Sequence, residues 1–496
     1  MSAPDGRPHP PGRYDVVVVG SGPGGLQTSY YLGRYGVSHA LLSADDAPGG
    51  MFRRFPVFDR LISWTKPDAP FEPGTREYEA YDHNSLLADD PHLCALVPRY
   101  MDRAFDVPAR AEMLAGLEAF AERAPVQARY RCRWEATRRD EDGFVLTTTD
   151  GEYRCKLAVF ALGMTEPWKG GVPGAEEAPH YVETKQPADY RGKRVVIVGK
   201  RNSGFELAHG LLPWARELVL VSPRPVRLTV LARSPLRVRY LQPFEEYVRG
   251  GSGALVVDAA IDRIERHADG YLVRTKGTTW PGDLDFEADE VIVATGFGTP
   301  LGDLPQLGVA TLRDGRMPAQ TPFWESVSAP GIYFAGNVTQ GASGLQRQGL
   351  AANSSSVNGL RYNARVLARH LAERLGRGRP RPVLRAEAVV PYLLAELARA
   401  PELWIQKGYL ARVVTFAESG ITDDGILPLE LFVDAGGEDA AAVTVEMNRE
   451  GTIYPALYLR RAGRLGEYEL DPHPTYAFDL DSNRAALEAL LRPLGV

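Results

Sequence analysis

The chain predicts an α/β fold: two Rossmann-like dinucleotide-binding domains followed by a small α+β C-terminal region. Three observations carry this. A buried-strand run, YDVVVV, passes into GSGPGG and then into a helical pattern. The same order of strand, glycine turn and helix restarts at RVVIVG, KRNSG and FELAHGLLPWA. Beyond the breaker GRGRPRP the pattern changes to short strand-like runs between helical stretches. Parallel strands joined by helices are covered on both faces, so they read as unbroken apolar runs, as both restarts do.

Taken in order, Tyr14 to Gly36 is a strand, a glycine turn and a helix ended by glycine, and HALLS (His39 to Ser43) follows at the spacing of the next parallel strand. Pro108 to Arg123 carries apolar residues at helical spacing, and FVLTTT (Phe144 to Thr149) and LAVFALG (Leu157 to Gly163) are the clearest strands after it. The second unit continues from its helix into the strand ELVLVS. DEVIVATGFG and GIYFAGNVTQG are buried strands running into glycine turns, both expected to return to the first sheet. A long helix from Val357 to about Leu375 sets Leu360, Ala364, Leu367 and Leu371 on one face. The tail holds a helical stretch (Val390 to Ala400), the runs LPLELFV, AAVTVEM and YPALYL, and a terminal helix from Asp481. The expected organisation is a disordered start over residues 1–12, a discontinuous first domain over 13–170 and 290–375, a second domain over 171–289, and a C-terminal extension over 376–496.

Composition excludes several classes. With 44% apolar and 24% charged residues the chain is neither disordered nor fibrous. A net charge of −6 is too small and too evenly spread for a nucleic-acid footprint, so no nucleic-acid partner is expected. The three cysteines, Cys94, Cys132 and Cys155, include no CxxC pair, which rules out a dithiol reductase using its own redox pair as well as a cysteine-rich zinc site. No run approaches the roughly eighteen apolar residues of a membrane span. The first twelve residues lack the apolar core of a signal peptide, so a cytoplasmic protein with no membrane partner is expected.

The first motif holds Gly20, Gly22, Pro23, Gly24 and Gly25. A strand must turn sharply into a helix, the backbone must approach a pyrophosphate and the helix must pack tightly, so side chains are excluded while the helix N-terminus faces the anion. Where an acidic residue would bind ribose the chain has Ser43, with Asp45 and Asp46 just beyond. The second motif reads Gly199, Lys200, Arg201, Asn202, Ser203, Gly204. Arg201 replaces the middle glycine, and the basic pair can itself engage an anionic ligand. On the next strand Ser222, Arg224 and Arg227 stand where an acidic residue would mark NADH; a hydroxyl with basic side chains suits the extra phosphate of NADPH.

GSGPGG, PGGMF (Pro48 to Phe52), the second GxxNSG turn, ATGF (Ala294 to Phe297) and FAGN (Phe334 to Asn337) resemble the two-dinucleotide flavin monooxygenases. RLISWTK, DHNSLLADDP, KRNSGFE, SPRPVRL and NGLRYNARVLARHL are similar to the branch containing the FAD-dependent oxidoreductase domain proteins. The resemblance covers residues 14 to about 375. It implies FAD on the first unit, with Gly50, Met51, Val126, Gly336 and Asn337 among its contacts, and NADPH on the second. It further implies molecular oxygen and a nitrogen- or sulfur-containing small metabolite as substrates, joined through a flavin hydroperoxide. Three departures stand out: Ser63 occupies the place of an asparagine over the flavin edge, the FxGxxxH signature is not met around Gly174 and His180, and Asn337 stands where aspartate is frequent.

A flavin also needs hydrogen-bond donors and a positive helix end near its pyrimidine ring. Gly336, Asn337 and the run NSSSVNG before the long helix can supply these. Ser63, Lys66 and Asn84 are the candidate catalytic residues: Lys66 to stabilise a peroxide anion, Asn84 with Ser85 to orient it or to cap a turn. His83 and His180 read as structural, Trp64 as packed or stacked in the substrate pocket, and no cluster has metal-ligand spacing. A flavin reductase without substrate oxygenation and a non-catalytic redox-sensing flavoprotein stay open as alternatives, as does a homo-oligomer.

Overall fold

A computed structural model describes residues 6–58, 60–226, 254–349 and 351–496. It divides into two compact units, one of residues 1–53, 63–164 and 299–496, the other of residues 54–62 and 165–298. No helix among the described residues is long and apolar enough to cross a membrane.

The first unit is built on β1 (Gly12–Val19), α1 (Pro23–Arg34) and β2 (His39–Leu42), then α2 (Arg110–Arg123) and the strands β3 (Trp134–Asp140), β4 (Gly143–Thr148) and β5 (Gly151–Phe160). The sheet order is β2-β1-β5-β4-β3. β1 is parallel to both β2 and β5, whereas β3, β4 and β5 form an antiparallel meander. Val16, Val17 and Val18 are fully buried, as an apolar run covered on both faces requires. Ahead of β1, Arg7 pairs with Asp150 at 2.9 Å and His9 meets Gln127 O at 2.9 Å.

The second unit carries β6 (Arg194–Val198), α3 (Asn202–Leu211), β7 (Glu217–Ser222), β8 (Ala254–His267), β9 (Gly270–Gly277), β10 (Asp283–Ala288) and β11 (Glu290–Val293). Its sheet order is β10-β9-β8-β7-β6-β11. This corrects one expectation. DEVIV does not return to the first sheet: β11 pairs in parallel with β6, from Glu290 opposite Val195 to Val293 opposite Val198. The reason is the edge it covers. β6 would otherwise end the parallel sheet with an open row of backbone groups, and Val291, Ile292 and Val293, all fully buried, complete it. The run GIYF does return to the first sheet, as β12 (Ile332–Phe334), parallel to β5.

From there α4 (Val357–Arg374) packs on α1, and the tail follows within the same unit. It holds β13 (Val383–Leu384), α5 (Ala386–Arg399), α6 (Pro401–Ile405), β14 (Leu410–Ala417), β15 (Gly420–Pro428), α7 (Leu429–Asp434), β16 (Asp439–Met447), β17 (Ile453–Arg461), β18 (Arg464–Glu469) and α8 (Asp481–Leu491). The antiparallel order is β13-β15-β14-β16-β17-β18. LPLELFV is a second correction: only its first residues are strand. Pro428 ends the ladder, and Leu429 and Phe432 then bury themselves at helical spacing in α7.

Candidate functional site

The first glycine turn is closed by backbone. A Cβ on Gly24 would lie 2.2 Å from Gly336 Cα, one on Gly25 1.7 Å from Gly20 O, and one on Gly50 2.8 Å from Gly22 Cα. The start of α1, the PGGMF loop and the FAGN turn therefore meet over hydrogen-sized side chains, with Pro23 at the first turn of the helix. Ser43 is buried, and Ser21 Oγ donates to Ser43 Oγ at 2.7 Å, so this hydroxyl is fixed at the tip of β2. Ser21 was not singled out in the sequence, though it lies inside the motif. Arg129 O accepts from Ser43 N at 2.9 Å, which brings the segment after buried Val126 alongside. Asn337 Nδ2 faces Met51 Sδ at 3.7 Å, while its Oδ1 is buried without a hydrogen-bond partner. A backbone cradle that any Cβ would fill, with a buried acceptor at its rim, fits the dinucleotide expected here.

Two residues of the NSSSVNG run are held by neighbouring side chains and backbone. Asn353 N and Nδ2 donate to Gln406 Oε1 and Ile405 O, each at 2.8 Å, and Ser354 Oγ accepts from Asn363 Nδ2 at 2.9 Å. Their partners lie in the tail, which the sequence could not register against this loop. The result is a buried relay: Gln406 Nε2 donates to Asn363 Oδ1 at 2.8 Å, Asn363 Nδ2 to Thr339 Oγ1 at 3.0 Å, and Thr339 Oγ1 to Gly336 O at 2.7 Å. The tail thereby buttresses the FAGN turn.

The structure brings Ser63, Trp64, Thr65 and Lys66 against residues 81–85. Lys66 N donates to Tyr81 O at 2.8 Å, and Asp82 Oδ1 accepts from Thr65 Oγ1 and Asn84 N, each at 3.0 Å, and from Ser85 N at 3.1 Å. Asn84 Nδ2 donates to Ser63 O and Thr65 Oγ1, each at 2.9 Å, so its amide clamps the loop; its Oδ1 and Asp82 Oδ2 are buried without partners. Ser85 Oγ is buried and accepts from Val97 N at 2.9 Å, whereas Lys66 is exposed. Trp64, 38% exposed, lies with its ring centroid 4.1 Å from that of His83. Asp82 organises this turn and was missed because a lone aspartate in DHNS reads as an ordinary turn residue.

In the second unit, Gly204 packs so closely on the end of β6 that a Cβ would lie 2.1 Å from Gly199 O. Arg201 is the exposed N-cap residue of α3, and Asn202 Oδ1 is buried without a partner. Ser203 is half-buried beside it. Lys200 departs from expectation. Its side chain is buried, and its ammonium donates to Val257 O at 2.8 Å and pairs with Asp258. Burial lowers its pKa and Asp258 raises it back in part. The cation is thus neutralised inside the protein, and of the basic pair Arg201 is the exposed one. Asp258 was missed because it lies 58 residues further along the chain, in the first part of β8, where sheet register sets it opposite Ser222. Ser222 is half-buried and Arg224 exposed; Arg227 lies outside the described residues. His180 is structural: buried, its pKa lowered by burial, its Nε2 3.0 Å from Gly296 O.

Cys94, Cys132 and Cys155 are each buried and free. The family model described as pyridine nucleotide-disulphide oxidoreductase matches residues 17–336. Among curated proteins, FAD-dependent oxidoreductase domain-containing protein 2 of Mus musculus is 33% identical over 233 residues, covering 45% of this chain and 34% of that protein. The chain thus spans about a third of that relative's length. A ferredoxin–NADP reductase of Thermus thermophilus is 28% identical over 342 residues, covering 65% of this chain and 84% of its own. Among solved structures, a flavin-containing monooxygenase from Stenotrophomonas maltophilia matches with TM-score 0.54 and 21% identity, over 73% of this chain and 99% of its own. Bacillithiol disulfide reductase from Staphylococcus aureus matches with TM-score 0.55 and 15% identity, over 73% and 99%. Both show the shared fold. With two glycine turns, each closed on backbone and each followed by its helix, and a family match over most of the chain, the protein belongs to the pyridine nucleotide-disulphide oxidoreductase family, with FAD and NADP(H) as its cofactors.

Proposed function

We propose that the protein is an FAD- and NADPH-dependent monooxygenase acting on a small nitrogen- or sulfur-containing metabolite. One observation carries the choice within the family: the three cysteines are buried, free and not in a CxxC pair, so electrons have no protein disulfide to enter. The acceptor then lies outside the chain's own cysteines, and the motifs resemble those of monooxygenases. When bound, FAD supplies the two-electron step from NADPH and the reduction of dioxygen. Gly20 to Gly25, Ser43, Gly336 and Asn337 would hold it; Arg201, Asn202 and Arg224 would hold NADPH. Ser63 and Lys66 would offer polar groups to the reaction, on a loop whose shape Asn84 maintains. A second reading, a flavin reductase passing electrons to an external carrier, is favoured by the ferredoxin–NADP reductase relative, most of whose length aligns.

The test is anaerobic mixing with NADPH, then with oxygenated buffer and a panel of amines and sulfides. Bleaching of the flavin followed by oxygenated product in step with NADPH consumed supports the monooxygenase. Bleaching with hydrogen peroxide as the sole product moves the assignment to the reductase. Failure of NADPH to bleach a flavin that a chemical reductant does bleach removes both.

A further inference from the structure

Two thioether sulfurs stand at the rim of the first cradle. Met51 directly follows Gly50, where a Cβ would lie 2.8 Å from Gly22 Cα, and Asn337 Nδ2 faces its Sδ at 3.7 Å. Met164 lies just beyond Ala161, whose carbonyl oxygen a Cβ on Gly20 would meet at 2.4 Å. Gln340 Nε2 donates to Met164 Sδ at 2.8 Å and to Asn337 O at 2.9 Å, so the FAGN turn has a sulfur on either side of Asn337. Both methionines are half-buried, as is Met447 on β16 of the tail, whereas Met101, Met113 and Met317 are buried.

A thioether is a weak hydrogen-bond acceptor, and its sulfur keeps a lone pair for an electrophilic oxygen. Reduced FAD that passes two electrons to dioxygen without transferring an oxygen atom releases hydrogen peroxide, and it does so inside this cradle. We propose that Met51 and Met164 are the sites at which this peroxide oxidises the protein, a modification site built into the cofactor's own binding turn. The sulfur lone pair attacks one peroxide oxygen. The S–O bond forms as the O–O bond breaks, sulfur is oxidised by two electrons to the sulfoxide, and the second oxygen leaves as water with both protons. A sulfoxide oxygen accepts hydrogen bonds better than a thioether, and the Asn337 and Gln340 amides stand beside the two sulfurs to donate to it. The inference rests on FAD as the cofactor and not on which reaction it serves, since a monooxygenase without substrate and a reductase without carrier both release peroxide.

In the test, holoprotein is reduced anaerobically with one equivalent of dithionite per flavin, mixed with oxygenated buffer containing catalase, and taken through several such cycles. In parallel, oxidised holoprotein receives hydrogen peroxide without catalase. Peptide mass spectrometry reads the sulfoxide at each methionine. Cycling is expected to oxidise Met51 and Met164 about fivefold more than Met447, while added peroxide treats the three alike within about twofold, because all are half-buried. Equal oxidation of Met447 on cycling, full protection of Met51 and Met164 by catalase, or the same fivefold preference with added peroxide would overturn the proposal. Dithionite reduces the flavin whether or not NADPH does, so this result stands apart from the test of the proposed function.

Discussion

Two lysines with opposite fates show what single residues decide in this protein. Lys200 sits in a motif that usually approaches a phosphate, yet its charge is taken by Asp258. Replacing it with methionine strands a partly buried carboxylate and should cost on the order of 3 kcal/mol in urea unfolding. Arg201→Ala, at the exposed N-cap of α3, should raise the Kd for NADPH about tenfold, a loss of about 1.4 kcal/mol read by titration. If Lys200→Met weakens NADPH and spares stability, the inward reading of its charge is wrong. Lys407, on the turn between α6 and β14, donates to Trp404 O and carries a pH signature. Its folded pKa is lowered from the ordinary 10.5 to about 8, so between those values the unfolded chain holds the proton that the folded chain has lost. Stability contributed by this site therefore rises with pH across that window, and Lys407→Met should flatten the rise in urea midpoints measured from about pH 8 to 10.5. At this scale the sequence identifies residue types well and partners poorly: Lys200 is conspicuous in its motif, but Asp258 becomes its partner only through the register of β7 with β8.

Elements were the most legible level, because glycine turns and apolar runs are local signals. β1, α1 and β2, their counterparts β6, α3 and β7, and the helix α4 all lie where periodicity places them. The errors came where local signals are degenerate. DEVIV has the composition of a buried parallel strand for either sheet, and only the free edge of β6 decides its place. The glycine turns make a sharper claim, since Gly24 and Gly336 touch through backbone alone. Gly24→Ala would drive a methyl group against Gly336, and at least about 3 kcal/mol of strain is expected. Gel filtration followed by an absorbance spectrum should recover that variant without bound flavin, while Gly36→Ala, where a Cβ meets open space, should strain only its own backbone and keep the colour. Colour retained in Gly24→Ala would mean that the cradle opens without cost.

Across the whole molecule, the tail is part of the first unit, a relation that no local pattern could announce. Arg76 makes a fork to Glu396 at 2.6 and 2.9 Å and reaches Glu402 at 3.0 Å, and Arg365 pairs with Glu402. Burial pushes the Glu402 pKa up, but Arg365, Arg76 and Arg412 outweigh it and hold the carboxyl down at about 2. A depressed folded pKa gives stability that is complete above the ordinary value of 4.5 and lost as pH falls toward 2. Glu402→Gln should therefore lower stability at neutral pH by about 3–5 kcal/mol and weaken the acid dependence of unfolding below pH 4.5, both read from denaturant midpoints. An unchanged acid limb would place the sensitivity on other carboxylates.

The contact of Gly24 with Gly336 also sets a timetable for synthesis. The nascent chain emerges with β1, α1 and β2 ready to pair, but the turn that seals the cradle, and the strand β12 that leads into it, leave the ribosome only after all of residues 165–298. The inserted unit has its own sheet and can settle while the first waits with an unfinished edge. Cofactor loading is thereby tied to late translation, and a stalled or prematurely ended chain is left with an exposed strand edge and no means of retaining flavin.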